Sequence, residues 1–231
     1  MIDVHSHLIP FVDDGSSSLE SSLKMLEEEE KHGVTAVICT PHYRPPKYVA
    51  SVEKVREKFE LFKSAAKKAG INTDLYLGRE IAFNTPSIKK VGEENFIKMA
   101  NSNCILLEFP YVSPVIDIDD VCYEVALLGY VPVIAHIERY TYFRDFDVIQ
   151  ALKRRGAIIQ VNASSIVGKC SLRERAFVKG LIKRKIISVV GSDVHETRNN
   201  YMADAYKKLS KKDAEYAEKI FVLNPKKYFG I

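Results

Sequence analysis

Short apolar, β-branched runs recur along the chain at Ile2–Val4, Thr35–Cys39, Thr73–Leu77, Cys104–Leu107, Val131–Ala135, Ala157–Val161 and Ile186–Val190, with helical patterning between them. Runs this short and this uniformly apolar suit strands buried on both faces, as in a parallel sheet covered by helices. The intervening stretches supply the matching stripes. Val52, Val55, Phe59, Phe62, Ala66 and Ala69 recur every three or four residues before Gly70, and Leu19, Leu23 and Leu26 repeat the pattern between Ser16–Ser18 and Gly33. Repeated strand-helix units without a Pro/Gly/Ser linker predict a single α/β domain over residues 1–231. The evenness of the repeats favours a closed or distorted barrel over an open sheet.

Composition narrows the class. With 46% hydrophobic and 28% charged residues in 231, the chain can build a sizeable core, and disordered, collagenous and disulfide-stapled classes are excluded. No stretch has the roughly 18 apolar residues of a spanning helix, and Met1-Ile2-Asp3-Val4-His5 has no secretory signature, so a cytoplasmic protein without membrane insertion is expected. The net charge of +4 is spread thinly. Lys207, Lys208, Lys211 and Lys212 read as a solvated helix face rather than a nucleic-acid site. Cys39, Cys104, Cys122 and Cys170 form no Cys-x-x-Cys pair and read as buried reduced thiols.

The functional signal lies where the strands end. The runs lead into His5-Ser6-His7 with Asp13-Asp14-Gly15 beyond, Thr40-Pro41-His42, Gly78-Arg79-Glu80, Glu108, His136 with Glu138 and Arg139, Asn162, and Gly191-Ser192-Asp193-Val194-His195. In a parallel barrel these ends meet on one face, where such folds place their active sites. Five of the six histidines fall there, and only His32 sits in a helix tail. Each piece alone has a bland reading: a structural His pair, a turn at Asp-Asp-Gly, a helix-capping Asp193. Together, burying so many ionisable groups without metal would cost several kcal/mol each. Imidazole and carboxylate are the ligands of Zn²⁺, Mn²⁺ or Fe²⁺, and the candidates exceed the needs of one ion, so two or three are implied, with Glu80 suited to bridge.

Competing chemistries lack their residues. A cysteine-nucleophile phosphatase closes its phosphate loop on an Arg six residues after the thiol, but Pro45, Pro110, Leu128 and Ala176 stand at those positions. No Gly-x-Ser-x-Gly elbow is present. Asn162-Ala163-Ser164 spells a glycosylation acceptor but reads as a polar cleft segment. Tyr43, Tyr48, Phe83, Tyr111 and Tyr140 near the strand ends either stack on a substrate ring or pack the loops, and Tyr43-Arg44-Pro45-Pro46 offers a ring and a cation at the rim.

In this combination the motifs resemble the PHP (polymerase and histidinol phosphatase) family, and more closely its bacterial metal-dependent protein-tyrosine phosphatases of capsule and exopolysaccharide synthesis. The likeness rests on Asp3–Pro10 with Asp13-Asp14-Gly15, Thr40-Pro41-His42, Gly78-Arg79-Glu80, Leu107-Glu108-Phe109-Pro110, Ile134–Tyr140 and Gly191–His195. It implies a distorted seven-stranded (β/α) TIM-like barrel of PHP type, with two or three divalent ions, Mn²⁺ first and Fe²⁺, Zn²⁺, Mg²⁺ or Co²⁺ as alternatives. By the same resemblance, His5, His7, Glu80 and Asp193 hold one ion, Glu80, Glu108 and His136 a second, and Asp14, His42 and His195 a third. Arg139 grips phosphate; the second phosphate Arg of similar enzymes falls on Asn200 here, leaving Arg198 as its candidate substitute. The implied reaction is hydrolysis of phosphotyrosine on a protein, the tail of a bacterial tyrosine kinase, through in-line attack by hydroxide activated on the metal. The alternatives are a phosphatase of histidinol phosphate or another small phosphomonoester, and a non-catalytic metal-binding scaffold.

Overall fold

A computed structural model describes residues 1–83, 96–112 and 117–231. Strands β1 (Ile2–Ser6), β2 (Ala36–Cys39) and β4 (Asp74–Leu77) form one sheet in that order. Strands β3 (His42–Tyr43), β5 (Glu80–Ala82), β6 (Cys104–Glu108), β7 (Val131–Ile134), β8 (Ile158–Asn162) and β9 (Val189–Gly191) form a second. Every ladder is parallel. Beyond β9 the chain returns to β1, where Asp193 N–H donates to His5 O at 2.8 Å and His7 N–H to Val194 O at 3.1 Å. The result is an α/β fold whose parallel sheet curls into a half-barrel.

Two of the expected runs, Thr35–Cys39 and Thr73–Leu77, form strands as read, but each is followed by a second short strand that the sequence reading did not expect. β2 gives way to β3 at Thr40-Pro41, and β4 to β5 at Gly78-Arg79, so the pairing passes from one sheet to the other there. Pro41 has no N–H for a ladder. Gly78 leaves room that a Cβ would fill, 3.1 Å from Thr40 Cγ2 and 3.2 Å from Ile38 Cγ2.

The helices follow their sequence signals. Ser18 and Ser51 cap α1 (Leu19–Lys31) and α2 (Val52–Lys68) by accepting from Ser21 N–H and Lys54 N–H. The α2 stripe of Val55, Phe59, Phe62 and Ala66 is buried. α3 (Ile118–Leu127), α4 (Phe146–Arg154), α5 (Ala163–Val167), α6 (Leu172–Lys183), α7 (Met202–Ser210), α8 (Ala214–Glu218) and α9 (Asn224–Phe229) complete the set. A capping box between Ser171 and Glu174 starts α6.

Alternation along the strands separates two cores. Val37, Cys39, Ile105, Leu107, Ile134, Ile159, Val161 and Val190 belong to the large core shared with the helices. Their neighbours Ala36, Ile38, Cys104, Leu106, Val133, Ile158 and Val189 fill a smaller inner core with Ile2, Val4, Met99 and Phe229. The inner face therefore starts apolar and ends polar: Cys104 and Leu106 lead to Glu108, and Ile158 leads to Gln160 and Asn162. In β1 the register with β2 slips between Asp3 and Ser6. Such a slip lets consecutive residues share a face, and here Val4 joins the inner core while His5 meets inward-facing Gln160. Phe229 of α9, fully buried, plugs the end opposite the polar one. Phe229→Ala is expected to cost about 3–5 kcal/mol, read from the shift in the urea midpoint at unchanged slope.

Candidate metal centre

All nine predicted ligand side chains meet at the polar end of the sheet. Glu80, fully buried on β5, is their hub. Its Oε2 lies 3.3 Å from His5 Nε2, 3.4 Å from His7 Nε2 and 2.8 Å from His42 Nδ1, and its Oε1 lies 2.9 Å from His136 Nε2. Asp193 Oδ1 is 3.8 Å from His5 Nε2 and 3.5 Å from His7 Nε2. His136 Nε2 also stands 3.7 Å from Glu108 Oε1. Half-exposed Asp14 puts Oδ1 3.7 Å from both His42 Nε2 and His195 Nε2. Three groupings have ligand atoms mutually within 4.8 Å: His5 with His7 and Asp193, His7 with His42 and His195, and His42 with Glu80 and Glu108.

Neighbours fix which ring nitrogen faces the centre. Asp13 Oδ2 takes His7 Nδ1 at 2.8 Å, Gln160 Oε1 faces His5 Nδ1 at 3.3 Å, and the Asp193 carbonyl takes His195 Nδ1 at 3.0 Å. A proton held on Nδ1 leaves the Nε2 lone pair free for a cation. Asp13 is itself secured by the N–H groups of Gly15 and His42. It orients the His7 ring, a role the sequence reading, which counted Asp13 within the Asp13-Asp14-Gly15 motif, did not assign. Gln160 was missed too, although an amide inside the apolar run Ala157–Val161 was a usable signal.

The backbone is shaped for these contacts. His136 (φ 29°, ψ 57°) and Asp193 (φ 51°) occupy the left-handed region, which non-glycine residues seldom adopt outside functional sites. Gly15 passes so close to His7 that a Cβ would lie 2.1 Å from its carbonyl oxygen, and a Cβ on Gly191 would lie 2.5 Å from His5 Cβ.

The donor set fits divalent cations. Burial would raise the Glu80 pKa, but His5 and His42 outweigh it and hold the carboxylate well below its usual range. Burial likewise works against Asp193, yet His5, Arg139 and His136 keep it ionised. Burial disfavours charge on His7, but Asp13 and Glu80 leave its pKa well above the usual value; His195, buried and beside His7, is lowered to about 3. Two observations call for a cation rather than this hydrogen-bond set alone. Among the described residues buried His195 Nε2 has no hydrogen-bond partner, and His5 and His7 aim their Nε2 atoms at each other across 3.2 Å.

Two arginines stand over this cluster. Arg139 Nη2 lies 3.0 Å and Arg198 Nη1 3.1 Å from Asp193 Oδ2, with side chains 29% and 45% exposed. Both line a cavity of about 290 Å³ with Lys169 and Ser164. Asn200 instead accepts the Met202 N–H at the start of α7. Both Glu108 oxygens are engaged, by Arg44 and by the Tyr111 hydroxyl, two partners the sequence reading did not assign. Of the aromatic set, Phe83 and Tyr140 are buried packing residues, whereas Tyr48 stacks on His42 and Tyr111 meets His136 edge-on. Asn162 is buried against Asp193 Oδ2 at 3.0 Å, the cleft role expected of it. The four cysteines are free, and burial raises their thiols, that of Cys122 to about 12, the opposite of a nucleophilic thiolate.

Residues 1–230 match the family described as capsular polysaccharide synthesis, CpsB/CapC. The chain belongs to that family. It is 31% identical to the tyrosine-protein phosphatase CpsB of Streptococcus pneumoniae over 98% of this chain and 97% of that protein. With the tyrosine-protein phosphatase YwqE of Bacillus subtilis it shares 29% identity over 91% of this chain and 84% of that one. A solved structure from work on YwqE and CpsB, described there as unique metal-dependent tyrosine phosphatases, superposes with a TM-score of 0.90 at 26% identity, covering 100% of this chain and 94% of its own. The phosphotriesterase homology protein of Escherichia coli shares the fold alone, with a TM-score of 0.57 at 13% identity over 99% of this chain and 98% of that one.

Asp13→Asn should weaken metal affinity by about 10–100-fold with the fold intact, because the His7 tautomer loses its acceptor. A metal titration followed by calorimetry measures this, and unchanged affinity would remove the orienting role.

Proposed function

We propose that this chain is a metal-dependent protein-tyrosine phosphatase whose substrate is the phosphorylated tail of a bacterial tyrosine kinase governing capsule or exopolysaccharide synthesis, acting in the cytoplasm. One observation carries the reading: nine metal-capable side chains converge beneath two arginines that share one carboxylate oxygen. On this reading His5, His7, Glu80 and Asp193 hold one ion, Glu80, Glu108 and His136 a second, and Asp14, His42 and His195 a third; the short separations within each set support it. Mn²⁺ is the first choice, ahead of Fe²⁺, Zn²⁺, Mg²⁺ and Co²⁺. On this reading β2 with β3, and β4 with β5, count as single bent strands, which gives seven positions in a distorted barrel.

Bound there, divalent ions supply Lewis-acid charge and an activated water for phosphomonoester hydrolysis. The protein's own part is positioning and charge. Arg139 and Arg198 present planar, permanently charged forks at the cavity mouth and can exchange Asp193 for equatorial phosphate oxygens. Asp13 and Gln160 hold the imidazoles so that their Nε2 atoms stay aimed inward. Tyr111 and Tyr48, packed against His136 and His42, offer rings against which a phenyl ester can pack. A phenolate leaving group, with a pKa near about 10, demands little acid assistance.

Turnover of a phosphotyrosyl peptide with added Mn²⁺, lost on chelation and exceeding that of histidinol phosphate, is the expected result. A preference for histidinol phosphate would move the reading to small-molecule phosphatase chemistry, and no turnover of either would leave a metal-binding scaffold. His136→Ala and Asp193→Ala should lose bound metal by elemental analysis and lose turnover while remaining folded. Arg139→Ala should keep its metal yet drop kcat/KM by about 10²–10³, the usual loss when one preorganised donor is removed. Arg198→Ala should fall in the same direction, and wild-type kinetics would remove its phosphate role.

A further inference from the structure

The lysines that look like a solvated helix face in sequence are half of something else in three dimensions. Lys208 and Lys212, on and just after α7, face Arg175, Lys179 and Lys183 of α6 across a cleft of about 390 Å³. Its floor is apolar, built from Ile166, Val178 and Leu209. Lys24, Lys31, Arg155 and Lys185 find acids elsewhere on the surface, and what sets this cleft apart is that five cations line one cavity. Among the described residues these five form no ion pair; Lys208 instead donates to the Val167 carbonyl at 3.0 Å. Burial and then the charges of Arg175, Lys212 and Lys179 lower the Lys208 pKa, a sign that like charges are crowded there.

The cleft adjoins the catalytic cavity. Ser164 lines one and Ser165 the other, so the single short helix α5 divides them, and Lys169 carries positive charge along the shared rim. We propose that this basic cleft is a docking site for an acidic peptide segment of the substrate protein, next to the phosphotyrosine being hydrolysed. The proposal builds on the phosphatase reading, since it names what flanks the reacting residue.

Shape selects a peptide over the other polyanions. A concave slot with apolar walls accepts an extended chain that alternates carboxylates and apolar side chains, whereas an anionic bilayer needs a flat or protruding basic surface. Five uncompensated cations also repel one another, and an incoming acidic segment relieves that repulsion. The interaction is electrostatic at the rim, so salt weakens it.

The test uses the full-length, Mn²⁺-loaded protein and the variant K179E/K183E/K212E, whose three side chains are exposed and lie outside the catalytic machinery. Fluorescence anisotropy with a labelled, unphosphorylated Glu-rich peptide should show binding weakened about tenfold or more in the variant, and weakened by salt in the wild type. Equal binding by both proteins overturns the proposal. In kinetics, KM for a phosphotyrosyl peptide with an acidic extension should rise in the variant, while kcat and turnover of p-nitrophenyl phosphate stay as in wild type. Wild-type turnover of p-nitrophenyl phosphate with identical KM for acidic and neutral peptides sinks the docking site and leaves the phosphatase standing. Absence of any turnover sinks the phosphatase reading, and the anisotropy still decides the cleft. Sedimentation with phosphatidylserine vesicles that the variant loses, without peptide binding by either protein, assigns the patch to a membrane and overturns the proposal. If circular dichroism shows the Glu variant unfolded, K179Q/K183Q/K212Q replaces it, with the same expectations in smaller measure.

Discussion

Everything at the polar end of the sheet depends on neutralising one buried carboxylate. Glu80 has no access to solvent, and its two oxygens face imidazoles from β1, from β3 and from the turn after β7. An isolated carboxylate there would be costly by several kcal/mol. The strands must therefore deliver their histidines together or not at all. The same requirement explains the orienting groups, because an imidazole free to rotate would not keep its Nε2 lone pair aimed at the centre. Asp13, Gln160 and the Asp193 carbonyl each fix one ring, and each is held by backbone contacts or neighbouring side chains in turn.

Backbone shape is subordinate to that need. His136 and Asp193 hold left-handed conformations that cost energy, and Gly15 and Gly191 stand where a side chain would strike His7 or His5. The slip in β1 serves the same end, turning His5 inward beside Val4. Stability lost at these points is offset by the two-layer core below. There the inner face is wholly apolar up to Leu106 and Ile158, and Phe229 closes its far end.

Charge is distributed with similar economy. Arg139 and Arg198 are spent on Asp193 in the resting site, leaving both half-exposed at a cavity sized for a small anionic group. Across α5 the basic cleft carries five cations that form no ion pair among the described residues. The two positive regions lie on either side of α5, which suits a substrate whose phosphate is only part of its negative charge.

Local chemistry made much of this legible in the sequence. Uniform apolar runs marked the strands to within a residue or two, except that the last shifted from Ile186–Val190 to Val189–Gly191, and Ser caps with Gly exits bounded the first helices. The strand-end histidines and carboxylates were legible as one cluster because a parallel sheet brings all its strand ends to one side, whatever the details of closure. Other features required tertiary structure. The extra strands β3 and β5 beyond Pro41 and Gly78 depend on how neighbouring strands cross, and the duties of Asp13, Gln160, Arg44 and Tyr111 depend on contacts the sequence order does not show. The lysines of α7 make the point most simply. Helical periodicity shows that a residue faces away from its own core, but only the packing of α6 and α7 against α5 decides whether that outward face meets water or another set of charges.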